Sequence, residues 1–112
     1  MNVTNIIKLV ASVAAQDGVI SNVELKTAYE LINKKIKKID KKFFDSCVSE
    51  FFDEDLTIEE YLHAIPKDLD LNIILGICRD TASSDGLEIR ENYAFDKACK
   101  FWQVDSSKFS KD

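Results

Sequence analysis

Glycine and proline are scarce in this chain of 112 residues, which contains three glycines and one proline. A many-stranded sheet needs such residues at its turns, so their scarcity favours long helices joined by few turns. The length suits one domain, residues 1–112, and a composition of 46% hydrophobic and 31% charged residues is that of a folded protein. The sequence therefore predicts a single all-α domain.

The chain also lacks the usual patterns of a catalytic or zinc site. Its one histidine, His63, has no serine or cysteine at a spacing that predicts a nucleophile pair, and no Gly-rich phosphate loop is present. The three cysteines, Cys47, Cys78 and Cys99, are widely spaced and show no zinc-ligand spacing. They indicate buried free thiols in a reducing compartment. We therefore expect a cytoplasmic protein that is not an enzyme.

Long apolar runs and an excess of positive charge are absent as well. No run approaches the roughly 18 residues that span a bilayer, and "LVASVAA" near the N-terminus, with Lys8 as its early positive charge, is interpreted as a structural helix. The formal net charge of −5 makes the whole molecule a poor counter-ion for nucleic acid. We expect no nucleic-acid partner.

Apolar residues recur at helical spacing in six segments, which predicts six helices, and "DSSKF" is a candidate for a seventh. Ser21 with Glu24, and Thr57 with Glu60, have the spacing of capping boxes and predict two helix starts. The fifth helix is predicted to begin near Asp68. The six apolar stripes lie at residues 6–14, 25–36, 44–52, 61–65, 71–82 and 94–102.

The third stripe contains more phenylalanine than one helix face can bury. Phe43, Phe44, Phe51 and Phe52 stand in two adjacent pairs. Neighbouring helical residues point about 100° apart, so both members of a pair cannot face the core. We expect one or two of these rings to be exposed as a docking surface.

The first and fifth stripes end alike. "IIKLVASVAAQDG" and "IILGICRDTASSDG" align on their Asp-Gly pairs, about 68 residues apart, with Ile6 on Ile74 and Ala14 on Ala82. The alignment predicts two pseudo-repeats of helix, Asp-Gly turn, helix.

This pattern, with an acidic residue about one turn into the helix after each turn, resembles the TerB-like tellurite-resistance family over residues 6–104. The resemblance implies a compact bundle of six to seven helices and a role in a stress-response or envelope-associated system, with a link to metal and oxyanion stress. Glu24 and Glu91 keep the acid of the pattern. Asn92 stands where a second acid is usual, and Glu88 stands where an apolar residue is usual.

The two Asp-Gly turns have a structural interpretation. Gly18 and Gly86 suit the left-handed conformation that ends a helix, and Asp17 and Asp85 suit the turn by accepting hydrogen bonds from nearby amides. Glu24 is then half of a capping box.

The alternative interpretation of the same turns is a metal site. Each turn alone lacks the ligands of an EF-hand loop. The early loop positions are Val13 and Ala15 in the first copy, both apolar, and Thr81 and Ser83 in the second, where Asn92 takes the place of the closing carboxylate. If the two turns meet, their carboxylates would form an oxygen-rich cluster suited to calcium or magnesium. That cluster would contain Asp17, Glu24, Asp85, Glu88 and Glu91.

A basic run, "NKKIKKIDKK", follows the second stripe. Its lysines are placed by the periodicity at the end of the second helix, where cations match the helix dipole. They indicate a solvated helix end or, as the alternative, a phosphate- or membrane-binding patch for an anionic partner, and the absence of aromatic residues among them weakens a role in binding single-stranded nucleic acid. The six lysines are Lys34, Lys35, Lys37, Lys38, Lys41 and Lys42.

Together these features predict a non-enzymatic protein-binding or adapter module that has a protein partner. A peripheral association with a membrane complex stays open, as does the oligomeric state. Two alternatives remain: a divalent-cation-binding protein that uses the acidic cluster, and an acidic inhibitor or nucleic-acid mimic, which the lysine run disfavours because it mixes the charges.

Overall fold

The computed structural model describes residues 3–15, 20–66, 68–84 and 93–104 and contains six α-helices in these ranges. No residue in them belongs to a β-strand, so the predicted all-α class is confirmed. The seventh helix predicted at "DSSKF" lies outside the described residues. In chain order the helices are α1 (Val3–Ala14), α2 (Asn22–Lys35), α3 (Lys41–Asp53), α4 (Ile58–Ala64), α5 (Leu71–Ala82) and α6 (Tyr93–Phe101).

Helix α1 lies at the centre of the fold and packs against each of the other five helices. The sequence predicts one apolar face for α1, formed by residues 6, 7, 10, 13 and 14. Nine of its 12 residues are buried, including Leu9 and Ala11, which are not on that face. A helix that is apolar on most sides needs neighbours on most sides. The core is therefore built around α1.

The helix starts follow the predicted capping signals. Ser21 and Thr57 begin α2 and α4 with complete capping boxes, as the sequence predicts. The predicted start of α5 near Asp68 is wrong, because the helix begins at Leu71. Asp70 is its N-cap and accepts hydrogen bonds from two backbone N–H groups at 3.0 and 3.4 Å, which fixes the start three residues later than predicted.

The phenylalanine-rich helix α3 divides its rings between the core and the surface. Phe44 is buried, whereas Phe43 and Phe52 are 40% and 48% exposed. The expectation of one or two exposed rings is therefore confirmed. The prediction of the sixth apolar stripe is partly wrong, because Phe101 at the end of α6 is exposed, whereas Phe95 is buried.

The two helices aligned by the sequence repeat, α1 and α5, pack against each other, and α5 also packs against α2. Both Asp-Gly pairs that define the repeat lie outside the described residues. The pseudo-repeat therefore stays a prediction. The described helices have at most 14 residues, and none of them has the length and apolarity required to cross a bilayer.

Candidate functional site

Most of the predicted metal cluster falls outside the described part of the chain. This applies to Asp17, Asp85, Glu88 and Glu91, and to the turn glycines Gly18 and Gly86. Within the ranges that the structure describes, no group of three or more histidine, cysteine or acidic side chains is arranged to hold a metal ion. The cluster stays a prediction.

Glu24 is the one described member of that cluster, and it is buried in the structural role that the sequence predicts. Its Oε1 accepts a hydrogen bond from the Ser21 backbone N–H at 2.9 Å, and its own N–H donates to Ser21 Oγ at 3.1 Å. Only 4% of Glu24 is exposed. The capping box accounts for its position at the start of α2.

Glu24 also lines a small cavity of about 10 Å³ between α1, α2, α3 and α5, together with Ala14 and Thr81. Thr81 Oγ1 is buried and has no hydrogen-bond partner in the described structure. The cavity is near the lower limit of space for one water molecule. Ala14 and Thr81 precede the two Asp-Gly pairs by a few residues, so the helix ends that lead into the two turns lie close together.

All six lysines of the basic run are exposed. Lys34 and Lys35 occupy the last turn of α2, as predicted, but the other four do not belong to that helix. Lys37 and Lys38 lie in the connection from residue 36 to 40, and the last two lysines, 41 and 42, open α3. We call this surface of six lysines the lysine platform.

The dipole explanation from the sequence therefore does not extend to the two lysines that begin α3. Lys41 and Lys42 lie at the N-terminal end of α3, where the positive end of the helix dipole disfavours a cation by up to about 1 kcal/mol. Asp40, the N-cap of α3, offsets part of this repulsion by accepting from the Phe43 N–H at 2.7 Å. The i, i+4 ion pair of Lys41 with Asp45, at 3.3 Å, offsets a further part for Lys41, whereas Lys42 gains nothing from the helix dipole.

The connection that carries the platform is held by side-chain hydrogen bonds. Asn33 accepts from the Ile39 N–H at 2.9 Å and donates to the Tyr29 carbonyl at 2.8 Å. The Tyr29 hydroxyl donates to the Ile39 carbonyl at 3.1 Å. Ile36 and Ile39 pack against the core between the lysines. The platform is thus fixed in shape before any partner binds, which lowers the entropy that binding must overcome.

Charge is strongly separated between the platform and the remainder of the chain. Residues 34–42 contain six lysines and one aspartate, for a net charge of +5, so the rest of a chain of net charge −5 carries −10. At physiological salt the screening length is about 8 Å, which is short compared with the molecular extents of 36 × 31 × 29 Å. An anion at the platform therefore meets positive charge.

A second charged network, which sequence reasoning did not find, surrounds Lys8 on α1. Only 7% of Lys8 is exposed, and its Nζ donates to Glu54 at 2.6 Å and to Glu50 at 3.2 Å. The Tyr61 hydroxyl donates to the other oxygen of Glu54 at 2.9 Å. A single lysine within an apolar helix was the available signal, but its partners lie 42 and 46 residues away.

A groove of about 420 Å³ lies between α4 and the end of α6, with Leu62, Ile65 and Trp102 among its walls. At its edge the exposed ring of His63 meets Phe101 edge-on, with 4.9 Å between the ring centroids. This volume is within the range of small-molecule sites. No sequence pattern indicated the groove, because its walls come from segments about 40 residues apart.

The three cysteines are free and buried, as predicted. Burial, followed by the nearby Cys99, raises the pKa of the Cys78 thiol well above its ordinary value of 9.0. A thiol in this environment stays protonated at neutral pH and is a poor nucleophile. This position for Cys78 favours a packing role.

Comparison with protein-family models, with curated proteins and with solved structures finds no match to this chain. The TerB-like resemblance therefore rests on the sequence pattern alone and stays an expectation.

Proposed function

We propose that this protein is a non-enzymatic adapter module whose lysine platform binds an acidic surface of a protein partner. The single observation that carries the proposal is the platform itself. Six exposed lysines lie on and beside the connection that is held by Tyr29 and Asn33, and two of them lie at the N-terminal end of α3, where the helix dipole disfavours a cation.

A protein partner suits the platform better than an anionic membrane does. The exposed carboxylates of Asp40 and Asp45 lie beside the lysines, so a flat anionic bilayer would meet negative charge at the platform as well. An acidic protein segment can contact the platform alone. The exposed Phe43 next to the lysines adds an aromatic contact of the kind that is enriched in protein interfaces. A nucleic acid is disfavoured for the same reason, because its phosphates also form an extended negative surface.

The TerB-like resemblance supports an adapter role in a cytoplasmic stress-response or envelope-associated system. The resemblance gives the cellular system in which we expect the protein to act, and the platform gives the surface by which we expect it to bind its partner. This proposal requires no cofactor.

The experiment measures binding of a fluorescent oligoglutamate peptide by anisotropy. The platform variant carries Lys37→Gln and Lys38→Gln, and the matched control carries Lys26→Gln and Lys100→Gln, which removes the same two charges from exposed positions elsewhere. We expect the platform variant to bind about tenfold more weakly, since two exposed ion pairs contribute up to about 1 kcal/mol each. The control should bind like the unmodified protein, and binding should weaken with salt.

Equal loss in the two variants would show that net charge alone attracts the peptide, and the platform would not be the site. Vesicles that contain phosphatidylserine form the second arm. Tight vesicle binding without peptide binding would replace the protein partner with a membrane and would overturn the proposal.

A further inference from the structure

Helix α3 carries opposite charges at its two ends. Its first turn belongs to the lysine platform, whereas residues 50–60, at and beyond its last turn, contain six acidic residues and no lysine or arginine. We call residues 50–60 the acidic end. Its six acidic residues are Glu50, Asp53, Glu54, Asp55, Glu59 and Glu60.

Part of the acidic end is neutralised within the molecule. Lys8 pairs with Glu50 and Glu54, and Lys97 pairs with Glu59 at 2.6 Å. Asp53 and Asp55 are exposed at its centre. The acidic end therefore presents negative charge to solvent after these ion pairs have formed.

Exposed apolar side chains accompany both charged surfaces. Phe43 is 40% exposed beside the lysine platform, and Phe52 and Leu56 are each 48% exposed within the acidic end. Each surface thus combines charge of one sign with an apolar contact. The two surfaces are complementary in charge and alike in their apolar content.

The two surfaces cannot neutralise each other within one molecule. A helix of 13 residues is about 20 Å long, which is more than twice the screening length of about 8 Å at physiological salt. Complementary charge is available instead from a second molecule. We propose that the lysine platform of one copy binds the acidic end of a second copy, so that the protein self-associates head to tail.

The two contact surfaces are different parts of the chain, so the contact is heterologous and leaves one platform and one acidic end free in a dimer. Further copies add to these free ends and form an open chain or a closed ring. This inference rests on the proposed function, because it names the acidic protein surface that the platform binds.

Sedimentation velocity over a range of protein concentrations tests the inference. We expect the average mass of the unmodified protein to rise above the monomer mass of 12.7 kDa in low salt and to return towards it in high salt. One variant lowers the net charge of the platform from +5 to +1 with Lys37→Glu and Lys38→Glu, and the other lowers the net negative charge of the acidic end from −6 to −2 with Asp53→Lys and Asp55→Lys. All four positions are exposed, and circular dichroism checks that both variants keep their helices.

Each of these variants alone should stay monomeric at concentrations where the unmodified protein associates, because most of the charge attraction at the contact is lost. An equimolar mixture should associate again, because each variant retains the surface that the other needs. A control that changes Lys26→Glu and Lys100→Glu should associate like the unmodified protein.

Monomeric unmodified protein at every concentration would overturn the inference, and so would a mixture that fails to associate. If the unmodified protein stays monomeric but its platform still binds oligoglutamate, head-to-tail association is wrong and the proposed function stands. Failure of both measurements would remove both proposals.

Discussion

Replacement of Lys8 by methionine tests how the charged network inside the fold contributes to stability. Methionine keeps the length and apolar stem of the side chain and removes the ammonium group that donates to Glu54 and Glu50 at 2.6 and 3.2 Å. The substitution lies on α1, the helix that contacts all the others. Its effect should therefore appear in global unfolding.

The expected magnitude follows from the exposure of the three charged side chains. Removal of one partner from a fully buried pair costs about 3–5 kcal/mol, because the other charge is left without water. Here the Glu54 side chain is 30% exposed and the Glu50 side chain 61% exposed, so both carboxylates regain water. Methionine also avoids the desolvation of the ammonium. We expect a loss of about 1–2 kcal/mol in the free energy of unfolding, or a Tm lower by roughly 5–10 °C.

The two carboxylates should contribute unequally. Glu54 has the shorter contact to Lys8, is the less exposed of the two and also accepts from Tyr61. Glu54→Gln should therefore destabilise by about as much as Lys8→Met, and Glu50→Gln by less than about 1 kcal/mol. Urea denaturation followed by circular dichroism measures all three, with Lys26→Met as an exposed-lysine control on α2.

The same network predicts the sign of a pH effect. Hydrogen bonds, first from Lys8 and then from Tyr61, lower the pKa of Glu54 below its ordinary value of 4.5. A carboxyl whose pKa is lower in the folded state stabilises the fold above its unfolded pKa, and this stability is lost as the pH falls through the folded pKa. Acidification below about pH 4.5 should therefore destabilise the unmodified protein more steeply than Lys8→Met. A Lys8→Met protein that is as stable as the unmodified one, with an unchanged acid slope, would refute this reasoning.

Two further predictions concern the cavity and the turns. Thr81→Val replaces a buried hydroxyl that has no partner in the described structure, so we expect the free energy of unfolding to rise by about 1 kcal/mol; a loss of stability would instead indicate a bridging water in the cavity. If Asp17 and Asp85 belong to a cation site, millimolar calcium or magnesium should raise the Tm, and Asp17→Asn with Asp85→Asn should abolish the rise. If neither ion changes the Tm of the unmodified protein, the two Asp-Gly turns have a structural role only.

The parts of the fold that the sequence predicts are those set by local rules. The capping boxes at Ser21 and Thr57 depend on side chains three residues apart, and both form. Helical spacing also identifies Phe44 and Ile74 as core residues, and both are buried. These features depend on neighbours along the chain, so a sequence pattern contains the information that they need.

The features that were missed depend on contacts between distant segments. Lys8 needs carboxylates from the far end of α3, and periodicity gives no means to pair them. The helical spacing predicts that all six lysines lie at one helix end. In the structure residues 36–40 form a connection instead, which is held by hydrogen bonds to the side chains of Tyr29 and Asn33. Spacing alone does not reveal such bonds.

The central position of α1 has a consequence for how the chain folds. Its contacts with α4 and α6 join residues more than 40 positions apart, whereas a helical bundle usually pairs neighbours in sequence. Proteins with many such distant contacts fold more slowly than bundles of local pairs, because large loops must close before the contacts form. During synthesis α1 emerges before every helix that covers it. Part of its apolar surface therefore stays exposed to water or bound to a chaperone until the last of these helices, α6, has been made.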